Sequence, residues 1–230
     1  MLRWTWHTPD RVLRLEGLPA HWQVFFHGRQ SPVNPRDQGI LALRQVHGAR
    51  WVELHPSTPL PLHPPEADAW IVTRPGVRVG IQVADCVPLF LADPQARIFA
   101  LVHAGWRGTR AGILEQVVRR LLGLGARVHR LLVAAGPAIR GCHYEVGPEF
   151  DALFPGFVEH RQGRRYLDLF QVHQATLHRL GIPAHQIVPP PYCTYEHPDR
   201  FYSYRRERVR GRMWLLAEHT PEVAHGRPSP

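Results

Sequence analysis

Apolar residues in this chain come in short runs broken by Gly, Pro and charged positions. Residues 77–83, 87–91, 98–102 and 131–135 run or alternate apolar, which predicts four β-strands. A helical period follows the third. Ile113, Leu114, Val117, Val118, Leu121 and Leu122 share one face at 3.6-residue spacing, predicting a helix over 110–124 with Thr109 as N-cap and Gly125 as stop. A second helix is predicted over 170–180, with Phe170, His173, Leu177 and Leu180 on one face and Gly181 ending it. Strands and helices intermix without a regular βαβ rhythm. The expected fold class is therefore α+β, a single domain of mixed β-sheets with packed helices.

No internal repeat or low-complexity linker divides the chain. The Pro-rich stretch 56–65 reads as an exposed loop, and Pro189-Pro190-Pro191 is too short to separate domains. The 230 residues, 44% hydrophobic with seven Trp, can build one large core, so 1–230 is expected as one domain with a frayed tail over 220–230. No stretch approaches the roughly 20 apolar residues of a membrane span, and the first residues lack the apolar region of a signal peptide. A cytoplasmic protein without membrane partners is expected.

The formal charge of +9 raises the question of nucleic acid. All 28 basic residues are Arg, scattered apart from short clusters at 119–120, 161–165 and 205–208, the last interrupted by Glu207. With no long basic run and no aromatic-basic pattern, no specific nucleic acid is expected. The bulk of the Arg reads as a surface bias, and a few could make an electropositive pocket for an anion. The absence of Lys excludes Schiff-base and P-loop chemistry. A single Asn and 23 Pro point to a thermophilic source. Three Cys without a CxxC pair are not a disulfide framework, a zinc ribbon or a thioredoxin motif.

Candidate chemistry concentrates in three dense motifs: His47 in Arg44-Gln45-Val46-His47-Gly48, Cys86 in Ala84-Asp85-Cys86-Val87-Pro88, and His103 in Val102-His103-Ala104-Gly105-Trp106-Arg107-Gly108. Two imidazoles and a thiolate suit zinc or copper, and three protein ligands leave one coordination position open, as catalytic sites do. Cys86 has a second reading, as a nucleophile with His103 as its base. Asp85 is a candidate proton shuttle or orienter of a His ligand. Gly105 and Gly108 allow close backbone approach, and Arg44 and Arg107 can present guanidinium forks to phosphate. Cys142-His143 reads as a structural turn, with a second metal site as the alternative. Cys193-Thr194-Tyr195 and the stretch 200–206 could stack a base or hold phosphate, through Tyr204, Arg205 or Arg206; an aromatic-packed edge strand is the competing reading. Other His, including His55, His63, His129, His178, His185 and His219, read as solvated.

Taken in order and spacing, these motifs, with Gly136-Pro137-Ala138-Ile139 and Tyr144-Glu145-Val146-Gly147, resemble the laccase-domain family, also called multicopper polyphenol oxidoreductases and assigned as purine nucleoside phosphorylases with adenosine deaminase activity. The resemblance runs from about residue 40 to about residue 216. It implies a domain related to the Cys-His hydrolase-like fold of deamidating toxins. It implies zinc, or copper, at His47, Cys86 and His103. It also implies phosphorolysis of adenosine, inosine, guanosine and methylthioadenosine, with deamination of adenosine, by a monomer or small homo-oligomer. One departure is the short segment Phe26-His27-Gly28-Arg29-Gln30-Ser31, where the family carries an Arg-x-Gly-Gly-Val-Ser stretch.

A three-ligand zinc lowers the pKa of bound water toward about 7, which suits attack at C6 of adenine. The rival classes are a copper polyphenol oxidase, a metal-free Cys86-His103 hydrolase and a basic binding module. The absence of any HxH pair weakens the oxidase.

Overall fold

The computed structural model describes residues 1–31, 39–208 and 210–220. The expected tail, residues 220–230, lies outside the described residues apart from Thr220. Two six-stranded sheets and a layer of helices make up the architecture. The first sheet runs β1 (Arg3–His7), β2 (Val12–Glu16), β3 (Trp22–His27), β15 (Met213–His219), β7 (Val77–Val83) and β4 (Leu41–Ala42). The second runs β14 (Ile187–Val188), β10 (Leu132–Ala135), β8 (Val87–Asp93), β9 (Ile98–Ala104), β6 (Ala69–Val72) and β5 (Trp51–Leu54). Both mix parallel and antiparallel pairs. A small third sheet joins β11 (Glu145–Val146), β13 (Arg164–Leu167) and β12 (Val158–Arg161). The α+β class is as expected.

The continuous apolar runs have a direct cause. The second sheet lies in the middle, buried on both faces, so its strands cannot alternate apolar with polar. Phe90, Ala92, Phe99, Leu101, Trp70 and Val72 face the first sheet. Their neighbours Leu89, Leu91, Ala100, Val102 and Ile71 face the helices. The first sheet contributes Trp22, Val24, Phe26, Val79, Ile81 and Leu215 to the shared core.

The helical layer holds α1 (Trp106–Arg110), α2 (Ile113–Gly123), α3 (Phe150–Leu153) and α4 (Leu169–Arg179); α5 (Tyr204–Glu207) lies apart from it, between the last two described loops. The apolar stripe of α2 is buried as its period predicts, with Ile113, Leu114, Val117, Val118 and Leu121 all inside. The predicted helix over 110–124 is corrected at its start. Thr109 lies within α1, its hydroxyl donating to the Gly105 carbonyl, and Gly112 caps α2 at φ 77°, a conformation Gly adopts freely. In α4, Asp168 is the N-cap, accepting from the Phe170 amide. His219 is corrected too: it is buried at the end of β15 rather than solvated. No helix among the described residues is long and apolar enough to cross a membrane.

Candidate metal centre and its basic cavity

The candidate site lies on the seam between the two large sheets. The chain leaves β7, crosses at 84–86 and enters β8, and Cys86 is the last residue before the new strand. Asp85 makes this turn at φ 88° and His47 sits at φ 59°, left-handed conformations that neither residue favours. Strain of this kind persists only where surrounding contacts fix it. For Asp85, the carboxylate accepts from the Thr194 hydroxyl at 2.6 Å and the Arg205 amide at 2.7 Å, and its carbonyl accepts from the Ile139 amide. For His47, the Gln45 side chain pairs with both backbone groups of Gln82, and Asp68 accepts from the His47 amide at 2.9 Å.

His47, Cys86 and His103 offer one donor atom each, and the three atoms lie within 4.8 Å of one another. The two imidazoles meet edge to face with centroids 4.8 Å apart. His103 is buried, Cys86 half-buried and His47 exposed, so the group is open toward His47. Gly105 is required here. A Cβ at that position would lie 2.9 Å from Cys86 Sγ and 3.4 Å from His47 Cδ2.

Asp68 is the residue that sequence reasoning missed. It is fully buried immediately before β6, whose ladder with β9 sets it beside His103. One carboxylate oxygen accepts from His103 Nδ1 at 2.8 Å and from the His47 amide; the other accepts from the amides of Gly48 at 2.7 Å and Val46 at 3.3 Å. That bond fixes the His103 tautomer and leaves Nε2 to face the other donors. The orienting role offered to Asp85 thus falls to Asp68. The only signal in the sequence was an acidic residue ahead of an apolar run.

Burial alone would raise the Asp68 pKa, but the His103, Gly48 and His47 donors hold it below the ordinary carboxylate range. Burial likewise opposes ionisation of Cys86 and His103. Their mutual attraction outweighs it, drawing the thiol down and the imidazole up, so the metal-free pair favours thiolate and imidazolium.

The three donors open onto a cavity of about 600 Å³. Among the described residues four that bear a guanidinium line it, Arg107, Arg205, Arg208 and Arg212, with Trp106, Tyr144 and Tyr204. The Arg107 guanidinium stacks on Trp106 at 4.5 Å, and Arg205 over Tyr144 at 4.9 Å, also donating to the Glu145 carbonyl. Burial pushes the Tyr144 phenol up to about 12, keeping it protonated. Of the residues the sequence singled out, the structure brings Asp85, Arg107, Tyr204 and Arg205 to this cavity. It does not bring Arg44, which is exposed and paired with Glu66, nor Arg206. The Arg206 guanidinium is spent on the Thr194, Tyr195 and Phe201 carbonyls and on Glu207. Arg208 joins the site from the end of α5, inside the basic cluster 205–208, and Arg212 from the approach to β15, where nothing in the sequence singled it out. A smaller hollow of about 250 Å³ on the first sheet contains none of the three candidate ligands.

A sequence profile described as multi-copper polyphenol oxidoreductase laccase matches residues 29–219. The chain belongs to that family. Among its laccase-family relatives is a purine nucleoside phosphorylase of Deinococcus radiodurans, 40% identical over 180 residues, covering 76% of this chain and 68% of that protein. Another is the adenosine deaminase RL5 of an unknown prokaryotic organism, 36% identical over 148 residues, covering 60% of this chain and 56% of that protein. The fold matches the crystal structure of YlmD from Geobacillus stearothermophilus with a TM-score of 0.83, at 23% identity, over 95% of this chain and 99% of that one.

Proposed function

We propose that this laccase-family chain is a purine nucleoside phosphorylase acting on adenosine, inosine, guanosine and methylthioadenosine, with adenosine deaminase activity at the same site. The observation that carries the reading is the shared cavity: two imidazoles and a thiol on one wall, guanidinium groups and phenols on the others. The donor set fits zinc, with copper as the alternative, held by His47, Cys86 and His103. Such an ion would supply Lewis-acid chemistry beside the cavity.

The rest is work for the chain's own residues. Arg107, with Arg208 and Arg212, holds phosphate against the sugar, where one phosphate oxygen bonds C1′ as the bond from C1′ to the purine nitrogen breaks. The base leaves with that electron pair and needs a proton; Tyr144, protonated at neutral pH, faces the cavity as a donor. Tyr204, exposed at the mouth, covers the base. Asp85 positions the Thr194 and Arg205 segments rather than touching substrate.

The test is hypoxanthine release from inosine and phosphate by wild type, His103→Ala and Cys86→Ser. Loss in both variants is expected, and Arg107→Gln should raise KM for phosphate more than it lowers kcat. Unchanged release in both ligand variants overturns the proposal. The attraction between Cys86 and His103 favours one second reading, a metal-free thiolate nucleophile. Inactivation by iodoacetamide that persists after zinc saturation would select it.

A further inference from the structure

A second donor cluster stands apart from the cavity. Cys142, His143, Cys193 and Glu196 each point one ligand atom into a common space, all four atoms within 4.8 Å of one another. None of them lines the candidate site. Cys142 Sγ lies 3.6 Å from Cys193 Sγ. A disulfide needs about 2.0 Å; two thiolates on one tetrahedral zinc, at about 2.3 Å each, stand roughly 3.8 Å apart. His143 Nδ1 is buried with no hydrogen-bond partner and sits 3.5 Å from Glu196 Oε1. Its ring is held by stacking on Tyr195, with centroids 4.4 Å apart and planes 15° from parallel.

The backbone around the cluster is already fixed. Ala138 and Cys193 form a parallel bridge, the Thr194 amide donates to the Ala138 carbonyl, and Arg206 holds the carbonyls of Thr194 and Tyr195. The four donors are thus presented by a preformed clasp between the turn at 140–143 and the segment 193–196.

We propose that Cys142, His143, Cys193 and Glu196 form a structural zinc site. Two sulfurs, one imidazole nitrogen and one carboxylate oxygen complete a tetrahedron, so this site is closed where the His47, Cys86 and His103 group is open. Its place in the fold gives it a task. Thr194, next to the ligand Cys193, holds Asp85 beside Cys86, so the ion would brace the strained crossover at the cavity through one intervening residue.

Metal counting on the purified full chain decides the matter. The expected result is two zinc ions per chain in wild type, one in Cys86→Ser, one in Cys142→Ser and none in the double variant. Cys142 is exposed, so its replacement should leave the circular dichroism spectrum intact. If that variant fails to fold, Cys86→Ser alone carries the test: it should bind one cobalt ion, with thiolate-to-cobalt charge-transfer absorbance that Glu196→Gln weakens. Wild type with one zinc and Cys86→Ser with none would overturn this site while leaving the cavity site standing. Intact mass showing loss of the two thiol hydrogens in Cys86→Ser would also overturn it, in favour of a disulfide. One zinc in both wild type and Cys86→Ser, lost in Cys142→Ser, would support this site and remove the other.

Discussion

Asp68→Asn isolates the residue that joins the fold to the candidate metal centre. The carboxylate is fully buried and accepts four N–H donors, two on each oxygen. An amide of the same shape keeps only one of the two oxygens. Whichever way it is turned, its NH₂ faces two donors: His103 Nδ1 with the His47 amide, or the Gly48 and Val46 amides. A buried donor left without its partner costs about 1–3 kcal/mol, so losing two should cost roughly 2–6 kcal/mol. For a chain of this length each kcal/mol lowers the melting temperature by about 2–4 °C, giving a drop of roughly 4–24 °C in chelator-treated protein. The effect on metal is separate. In either orientation the charged acceptor behind His103 is lost, and with the NH₂ turned to His103 the tautomer and the His47 backbone are freed as well, so affinity should fall about 10–100-fold. Competition with a chromophoric chelator measures the affinity, and calorimetric melting of the metal-free protein measures the stability. Melting and zinc affinity both equal to wild type would refute the assignment of Asp68 as the organiser of the site.

Three further outcomes follow from other parts of the fold. Gly105→Ala places a methyl 2.9 Å from Cys86 Sγ, so zinc content should fall well below that of wild type while the secondary structure stays intact by circular dichroism. His173 and His27 are held near pKa 4 by burial, below the ordinary 6.5. The unfolded chain therefore binds protons first as pH falls, and stability is lost between about pH 6.5 and 4 and is level above it. At pH 5 each should cost about 2 kcal/mol relative to pH 7.5, measured by urea unfolding; an identical pH difference in His173→Gln would contradict this. Leu121→Ala removes a fully buried side chain from the helix-facing core and should cost about 2–5 kcal/mol in the same assay.

The strands expected at 87–91 and 98–102 were legible because a sheet buried on both faces needs unbroken apolar runs, the one at 77–83 because its apolar positions alternate with Arg78 and Gln82, and α2 because one buried face needs a 3.6 period. The split at Gly112 was less so: α1 is one short turn, and the local signals at Thr109 suit either a cap or a helix interior. Arg44 and Arg206 illustrate a different limit. Both flank motif residues in sequence, yet one pairs with Glu66 and the other binds carbonyls inside the fold. Adjacency along a chain says nothing about direction, since successive side chains point to opposite sides of an extended segment, as at Arg44, and are about 100° apart around a helix, as at Arg206 in α5.

The sequence by itself determined the inventory. Residue types dictate which atoms can ligate a soft divalent ion, and His47, Cys86 and His103 could be named from that chemistry and from the small residues around them. Only the tertiary structure decided that they meet. It also made Asp68 the buried acceptor behind them, and it gathered Arg107, Arg205, Arg208 and Arg212 around the same cavity. It drew Cys142, His143, Cys193 and Glu196 into a second cluster. The physical reason is that such meetings depend on strand register, on the crossing between two sheets and on which way a buried carboxylate faces. Those are set by packing across the whole core, and no local window of the chain contains them.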